Sequence, residues 1–365
     1  MPNPNVEFNV FGGRVDRIGV YNQATMNISG GSAVIDAVFG SFVNLSGGSA
    51  SLQVWPDASV TITGGHVNRL SASDGSDVTL VGGEFFVNGT PFAGDTVTFT
   101  DPNDNLTGIL QDGTPIALFG QPLSGVTLSK IAIDPPSLEP ILVDAANPQG
   151  PDSLRPGQTL ALRDGGELPG GFIAESATMN VAGGRLAGGL TAVNSDVRIT
   201  GHLEGLQIQS VGNSRVVLTD ATVQPRLSAS AGGTIEIGGA SSVPNDFSIG
   251  QGGVGILTGG EMARVSVGIG GRFEVQGGVV ERVFGGGETT LAGGRVGNNS
   301  GFRSSSALEL VGGEFRLNGV GVAGFALDFR GEPGILTGTL ADGTPLLLRT
   351  EDLPTGDRIV LTQAD

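Results

Sequence analysis

Glycine doublets recur along this chain about every 18 residues, and that interval restricts the folds open to it. They begin at Gly12, Gly30, Gly47, Gly64 and Gly82, then at Gly165, Gly183, Gly201, Gly238, Gly259, Gly277, Gly293 and Gly312. Asp220 stands in the place of one doublet, and at Gly201 the pair has degenerated. Apolar residues precede each doublet at positions −4 and −2. Examples are Met26 and Ile28, Val43 and Leu45, Val60 and Ile62, Met179 and Val181, and Leu308 and Leu310. After the doublet they return at a stagger, as in Val67, Leu70 and Ala72, or Leu203, Leu206 and Ile208, or Met262, Val265 and Val267. Gly255 and Gly285 interrupt the pattern.

Alternation at every second residue is the strand period. A helix needs apolar residues three and four apart and tolerates an internal glycine pair poorly. Each interval therefore predicts two short strands and corners, with glycine supplying corner dihedrals that other residues reach only with strain. One such coil cannot bury its inner face, whereas stacked coils can. The expected fold is all-β, a parallel β-helix or β-solenoid of roughly 18-residue coils. The general preference for right-handed crossovers predicts a right-handed one.

A longer repeat overlies the short one. Residues 79–118 align without a gap on 309–348 at a constant offset of 230, with 20 of 40 positions identical. The shared Asp-Gly-Thr-Pro run, at Asp112 and Asp342, predicts a hairpin. This segment reads as a cap, since an open solenoid end exposes unpaired backbone and an apolar cross-section. The expected layout is a first module over 1–119 with its cap at 79–118, then a proline-rich linker or irregular lead-in over 120–157. A second module over 158–350 follows, with its cap at 309–348, and then a C-terminal tail over 351–365.

Net charge is −17, from 36 acidic and 19 basic residues, of which Lys130 is the single lysine. Such a body repels nucleic acid and anionic membrane at long range. The chain has no cysteine, so disulfides, thiolate zinc sites and a cysteine nucleophile are excluded. No apolar run is long enough to span a membrane. The expectation is an extracellular or cell-surface protein whose leader lies outside this sequence.

The glycine-punctuated coils resemble the parallel β-helix and β-solenoid proteins of bacterial envelopes and secretomes, among them passenger-like adhesins and polysaccharide lyases. That resemblance implies a fold more than a function. The motifs of the pectin-type hydrolases of this fold (paired aspartates, Asn-Thr-Asp, Gly-His-Gly, Arg-Ile-Lys) do not occur here. Lyase-like chemistry would draw on arginines such as Arg198, Arg264, Arg282 and Arg316, which read more simply as solvated surface charge. His66 and His202 follow corner glycines, in a slot also filled by Arg14, Ser49, Glu261 and Arg295, and read as solvent-facing. Asp101, Asn103, Asp104 and Asn105 could offer oxygens to calcium, but the aligned Gly331, Glu332, Pro333, Gly334 and Ile335 lose most of them. Trp55 and Tyr21 are the sole tryptophan and tyrosine, and Trp55, before Pro56, reads as hydrophobic packing at a corner. Thr61-Ile62-Thr63 is too isolated for a threonine array.

No catalytic, cofactor-binding or metal residue is singled out, and no cofactor is expected. The leading expectation is a non-catalytic structural or adhesive solenoid acting as a rigid repeat rod. The alternative is a polysaccharide-active, lyase-like or glycan-binding β-helix. The expected partners are polysaccharide or other surface proteins.

Overall fold

Apolar–polar alternation around each doublet sends one row of side chains inward, and the next coil pairs with it in register. A computed structural model describes residues 6–101, 104–119, 123–297, 301–302, 307–322, 326–328, 334–349 and 358–363. Among these there is no helix, and parallel strands stack in about 16 turns, forming a β-solenoid. The chain divides into two compact units, Met1–Ser137 and Leu138–Asp365.

In the first unit Met26 pairs with Val43, Val43 with Val60 and Val60 with Val78. All four are buried, as are Ile28, Leu45, Ile62 and Leu80 one step along. Each such side chain removed from water contributes roughly 1.5–3 kcal/mol, and that burial offsets the entropy of ordering a glycine-rich chain. The second unit repeats the arrangement, with Met179, Val197, Val216 and Ile235 in one buried row.

Two expectations change at the corners. In the first unit the strands Thr25–Ala37, Phe42–Val54 and Ser59–Ala72 run through the doublet, which bends a strand instead of ending it. In the second unit a coil is divided more finely, as in Thr178–Val181, Arg185–Leu186 and Gly189–Val193. Leu206, expected inside, is 70% exposed. The inward partner of Leu190 is Ile208, and Leu206 falls on the bend ahead of it.

The interruption at Gly255 has a packing reason. A side chain there would meet Ile249 and Phe247 at 2.6 and 2.7 Å. The space is taken by Ile249 and Phe247, and the Phe247 ring meets that of Phe273 edge to face with centroids 6.5 Å apart. A missing side chain in one coil is thus filled by larger ones in its neighbours.

Both caps have the expected hairpin, Asn105–Leu110 with Pro115–Phe119, and Ile335–Leu340 with Pro345–Arg349. The hairpin lies antiparallel on the last long strand of each unit, with Gly82 opposite Leu110 and Gly312 opposite Leu340. Each cap extends further than the aligned segment. Leu123–Lys130, within the stretch read as linker, pairs parallel with Asp77–Val87. Arg358–Gln363, within the stretch read as tail, pairs parallel with Ala307–Leu317. Val126 and Leu128, like Ile359 and Leu361, add one more rung to the buried row. These strands fall three residues out of the constant offset, so a gapless comparison stops before them.

At the doublet, two separate constraints act. Gly48 has φ +74°, and a side chain there would also lie 2.6 Å from the Gly31 carbonyl oxygen of the coil before. Gly13 has nearly the same dihedral, φ +78°, with nothing within 4 Å. Gly13→Ala is therefore expected to lower stability by the dihedral cost alone, about 1–2 kcal/mol. Gly48→Ala adds the clash and is expected to lose roughly 3 kcal/mol or more. Denaturant unfolding followed by Trp55 emission measures both, and equal losses would show that close approach does not matter.

Candidate functional site

Strand alternation puts the polar residues of each coil on the outside, where stacking lines them up. In the first unit Asn9, Asn27, Asn44, Thr61 and Thr79 form one outward row. The Asn27 amide donates to Glu7 Oε1 at 2.8 Å and to Asn9 Oδ1 at 3.0 Å, and Asn44 donates to Asn27 Oδ1 at 2.8 Å. In the second unit the same role falls to charges. Arg185 meets Glu167 across coils at 3.0 Å, and Arg215 bonds Glu236. Thr362 donates to Glu309 at 2.6 Å.

Of the four arginines considered from sequence, stacking brings together only Arg264 and Arg282, which are register partners. Arg264 lies 3.8 Å from Asp246 and over the ring of Phe284, with its guanidinium carbon 5.1 Å from the centroid. Arg198 lies on a different strand row, 3.5 Å from Asp196, and Arg316 is in the second cap. Arg282 also borders a groove of about 590 Å3 between residues 279–297 of the second unit and its cap hairpin. Glu281 and Arg295 supply its other charges, and Leu291, Leu346 and Leu348 its apolar wall. That volume is in the usual range for ligand clefts. The counterpart in the first unit is only about 80 Å3, lined by Arg69, Leu118, Phe119 and Leu123 among others. Sequence reading placed Arg295 in the corner slot and passed over Glu281, because only the cap hairpin turns that corner into a groove.

His66 departs from the solvent-facing reading. It is partly buried, in the coil whose doublet the first cap turn covers, and burial lowers its pKa from 6.5. His202 is exposed and lies 3.6 Å from Glu204. In the candidate calcium loop, Asn103 lies outside the described residues. Asp104 accepts from the Asp101 N–H at 3.2 Å and from the Asn88 amide at 2.9 Å, so its carboxylate is engaged within the cap. Among the described residues no three acidic or histidine side chains gather as metal ligands.

Trp55 is not core packing. It is 42% exposed, on the same corner of the first unit as Tyr21 at 53% and Phe39 at 65%. Ladder bonds from Val38 N–H to the Val20 carbonyl and from Trp55 N–H to the Ala37 carbonyl put the three aromatics on consecutive coils.

Each cap is tied down by one aspartate. Asp112 accepts from the Gly65 N–H at 2.9 Å and from the Thr114 N–H and hydroxyl, both at 2.8 Å. Asp342 does the same with the Gly294 N–H at 2.7 Å, the Thr344 N–H at 2.8 Å and its hydroxyl at 2.9 Å. Doublet glycine, with no side chain in the way, lets the carboxylate reach the backbone. Burial pushes the Asp342 carboxyl up, but the bonds from Gly294 and Thr344 outweigh it and hold the pKa below 3.8.

The chain matches no family model, no curated protein and no solved structure.

Removing the second cap's tie by Asp342→Ala is expected to weaken local stability by about 1 kcal/mol at pH 7, because the site is largely exposed. Exchange of the Gly294 amide, followed by mass spectrometry, should rise about fivefold. As pH falls through the lowered folded pKa the parent loses the same contribution, and the difference should shrink. His66, whose pKa is also lowered in the fold, acts in the same direction as Asp342 but at higher pH. Its unfolded form takes up a proton more readily, so first-unit stability should decline as pH falls through about 6.5. In His66→Gln the denaturation midpoint, read from Trp55 emission between pH 7 and 5, should change less than in the parent.

Proposed function

We propose that this chain is a non-catalytic structural or adhesive scaffold of the extracellular or cell-surface kind, whose coils serve to present a persistent surface. The observation that carries this reading is how the outward polar side chains are used. Asn27 and Asn44, Arg185 and Glu167, Arg215 and Glu236, and Glu309 and Thr362 bond to the next coil. Side chains engaged in this way stiffen the stack and set its register. A catalytic group instead must be held facing a substrate. The net charge of −17 keeps such a surface soluble and unattractive to polyanions.

One observation favours the polysaccharide-active alternative, the groove bordered by Glu281, Arg282 and Arg295. An acid and two cations around a partly apolar cleft could position an anionic sugar and move a proton.

Incubating the purified chain with anionic and neutral polysaccharides separates the two readings. Release of unsaturated product is followed by ultraviolet absorbance, and of new reducing ends by a chemical assay. The scaffold reading expects no release above a heat-denatured control. Turnover that is lost in Arg282→Ala would overturn it in favour of the groove.

A further inference from the structure

The sole tryptophan and sole tyrosine of this chain lie on one exposed corner of the first unit, with Phe39 on the coil between them. Val38 is the register partner of Tyr21 and Trp55 and Phe39 lies one position further on, so the three form a half-exposed cluster on one corner, where burial would be the ordinary destination. Two local details bear on how the cluster is held. A side chain at Gly19 would lie 2.3 Å from Tyr21 Cε2 and 2.6 Å from Cζ, so the tyrosine ring rests on bare backbone there with its other side outward. The φ of Gly19 is not in the left-handed region, so alanine is dihedrally permitted and only the ring requires glycine. In the middle coil Val38 is buried, and Phe39 turns out at φ +40°, a region bulky residues avoid. That conformation disfavours phenylalanine and suits asparagine or glycine, so the exposed ring is kept against local preference.

We infer that this corner binds a neutral polysaccharide, laid along the stacking direction so that successive sugar rings meet Tyr21, Phe39 and Trp55. Coils repeat about every 4.8 Å, so Tyr21 and Trp55, two coils apart, are separated by about 10 Å along the stack. The aromatics are interleaved with polar neighbours, exposed Asn22, Gln23 and Asp57 and the part-exposed Gln53. That mixture fits a ligand with C–H faces for stacking and hydroxyls for hydrogen bonds. A protein partner is better matched by a contiguous apolar centre with a polar rim. Asp57 and Asp74 on the same corner, added to the acidic total, select against an anionic glycan.

This inference rests on the adhesive side of the scaffold reading and gives it a ligand class. Trp55, being unique, reports on the corner directly. Soluble mixed-linkage β-glucan, xyloglucan and galactomannan are titrated into the full chain and Trp55 emission is followed, with polygalacturonate as the anionic control. A saturable change is expected with at least one neutral polymer and none with polygalacturonate. Tyr21→Ala and Gly19→Ala should each weaken that binding at least tenfold. Phe39→Asn should weaken it while leaving the denaturation midpoint equal or higher, an outcome that a purely structural role for Phe39 would not produce. For Trp55→Ala, calorimetry replaces fluorescence.

The inference is overturned if none of the three neutral polymers changes Trp55 emission, or if the Tyr21, Gly19 and Phe39 variants bind as the parent does. It is also overturned if emission changes with protein concentration alone and sedimentation shows a dimer, which makes the corner a self-interface. Each of these results leaves the scaffold reading standing. Product release is the outcome that removes that reading instead.

Discussion

Close approach of backbone to backbone at the glycine doublets is the constraint on which the rest of this structure depends. At Gly47 and Gly48 a side chain would lie 2.6 Å from carbonyl oxygens of the preceding coil, at Ser29 and Gly31. Only glycine permits that separation, and the second glycine also needs a positive φ. Once one corner is stacked on the next, the strands leading in and out of it are fixed in register. Inner rows such as Met26, Val43, Val60 and Val78 then follow, and so do outer rows such as Asn9, Asn27 and Asn44. A shift of one residue would turn every inner side chain outward.

Stacking creates its own problem at the last coil, where backbone and apolar cross-section would face water. Both units meet it with the same five-part arrangement. A long strand carries a short antiparallel return, a hairpin laid across it, a final parallel strand on the buried row, and a short antiparallel strand beside that one. The aspartate of the hairpin turn joins cap to body by accepting a backbone N–H from a doublet glycine. The corner that allows coils to stack thus also receives the cap.

What remains for function is surface that stacking does not use. Several outward polar side chains are engaged between coils, and the proposed scaffold rests on that use. The aromatic corner of the first unit and the groove at the second cap are two such unused places among the described residues. They differ in chemistry, one aromatic and interleaved with amide and carboxylate side chains, the other edged by two arginines and a glutamate.

The alternation around each doublet was enough to predict the parallel β-solenoid and its buried rows, and the repeated segment with its Asp-Gly turn predicted the two hairpin caps. These are local properties, repeated often enough that their period is unmistakable, and period determines which face is buried. Sequence could not show that Leu206 yields its inward place to Ile208, or that Leu123–Lys130 and Arg358–Gln363 complete the caps. Nor could it show that His66 is partly buried or that Trp55 stands exposed beside Tyr21 and Phe39. Each of these depends on which coil lies above which residue, a relation between positions as much as 51 apart that no local pattern encodes. Composition and spacing alone determined that this chain must wind and what it must bury. Stacking decided which side chains were left over to meet another molecule, because exposure is a property of neighbours brought in from elsewhere in the chain.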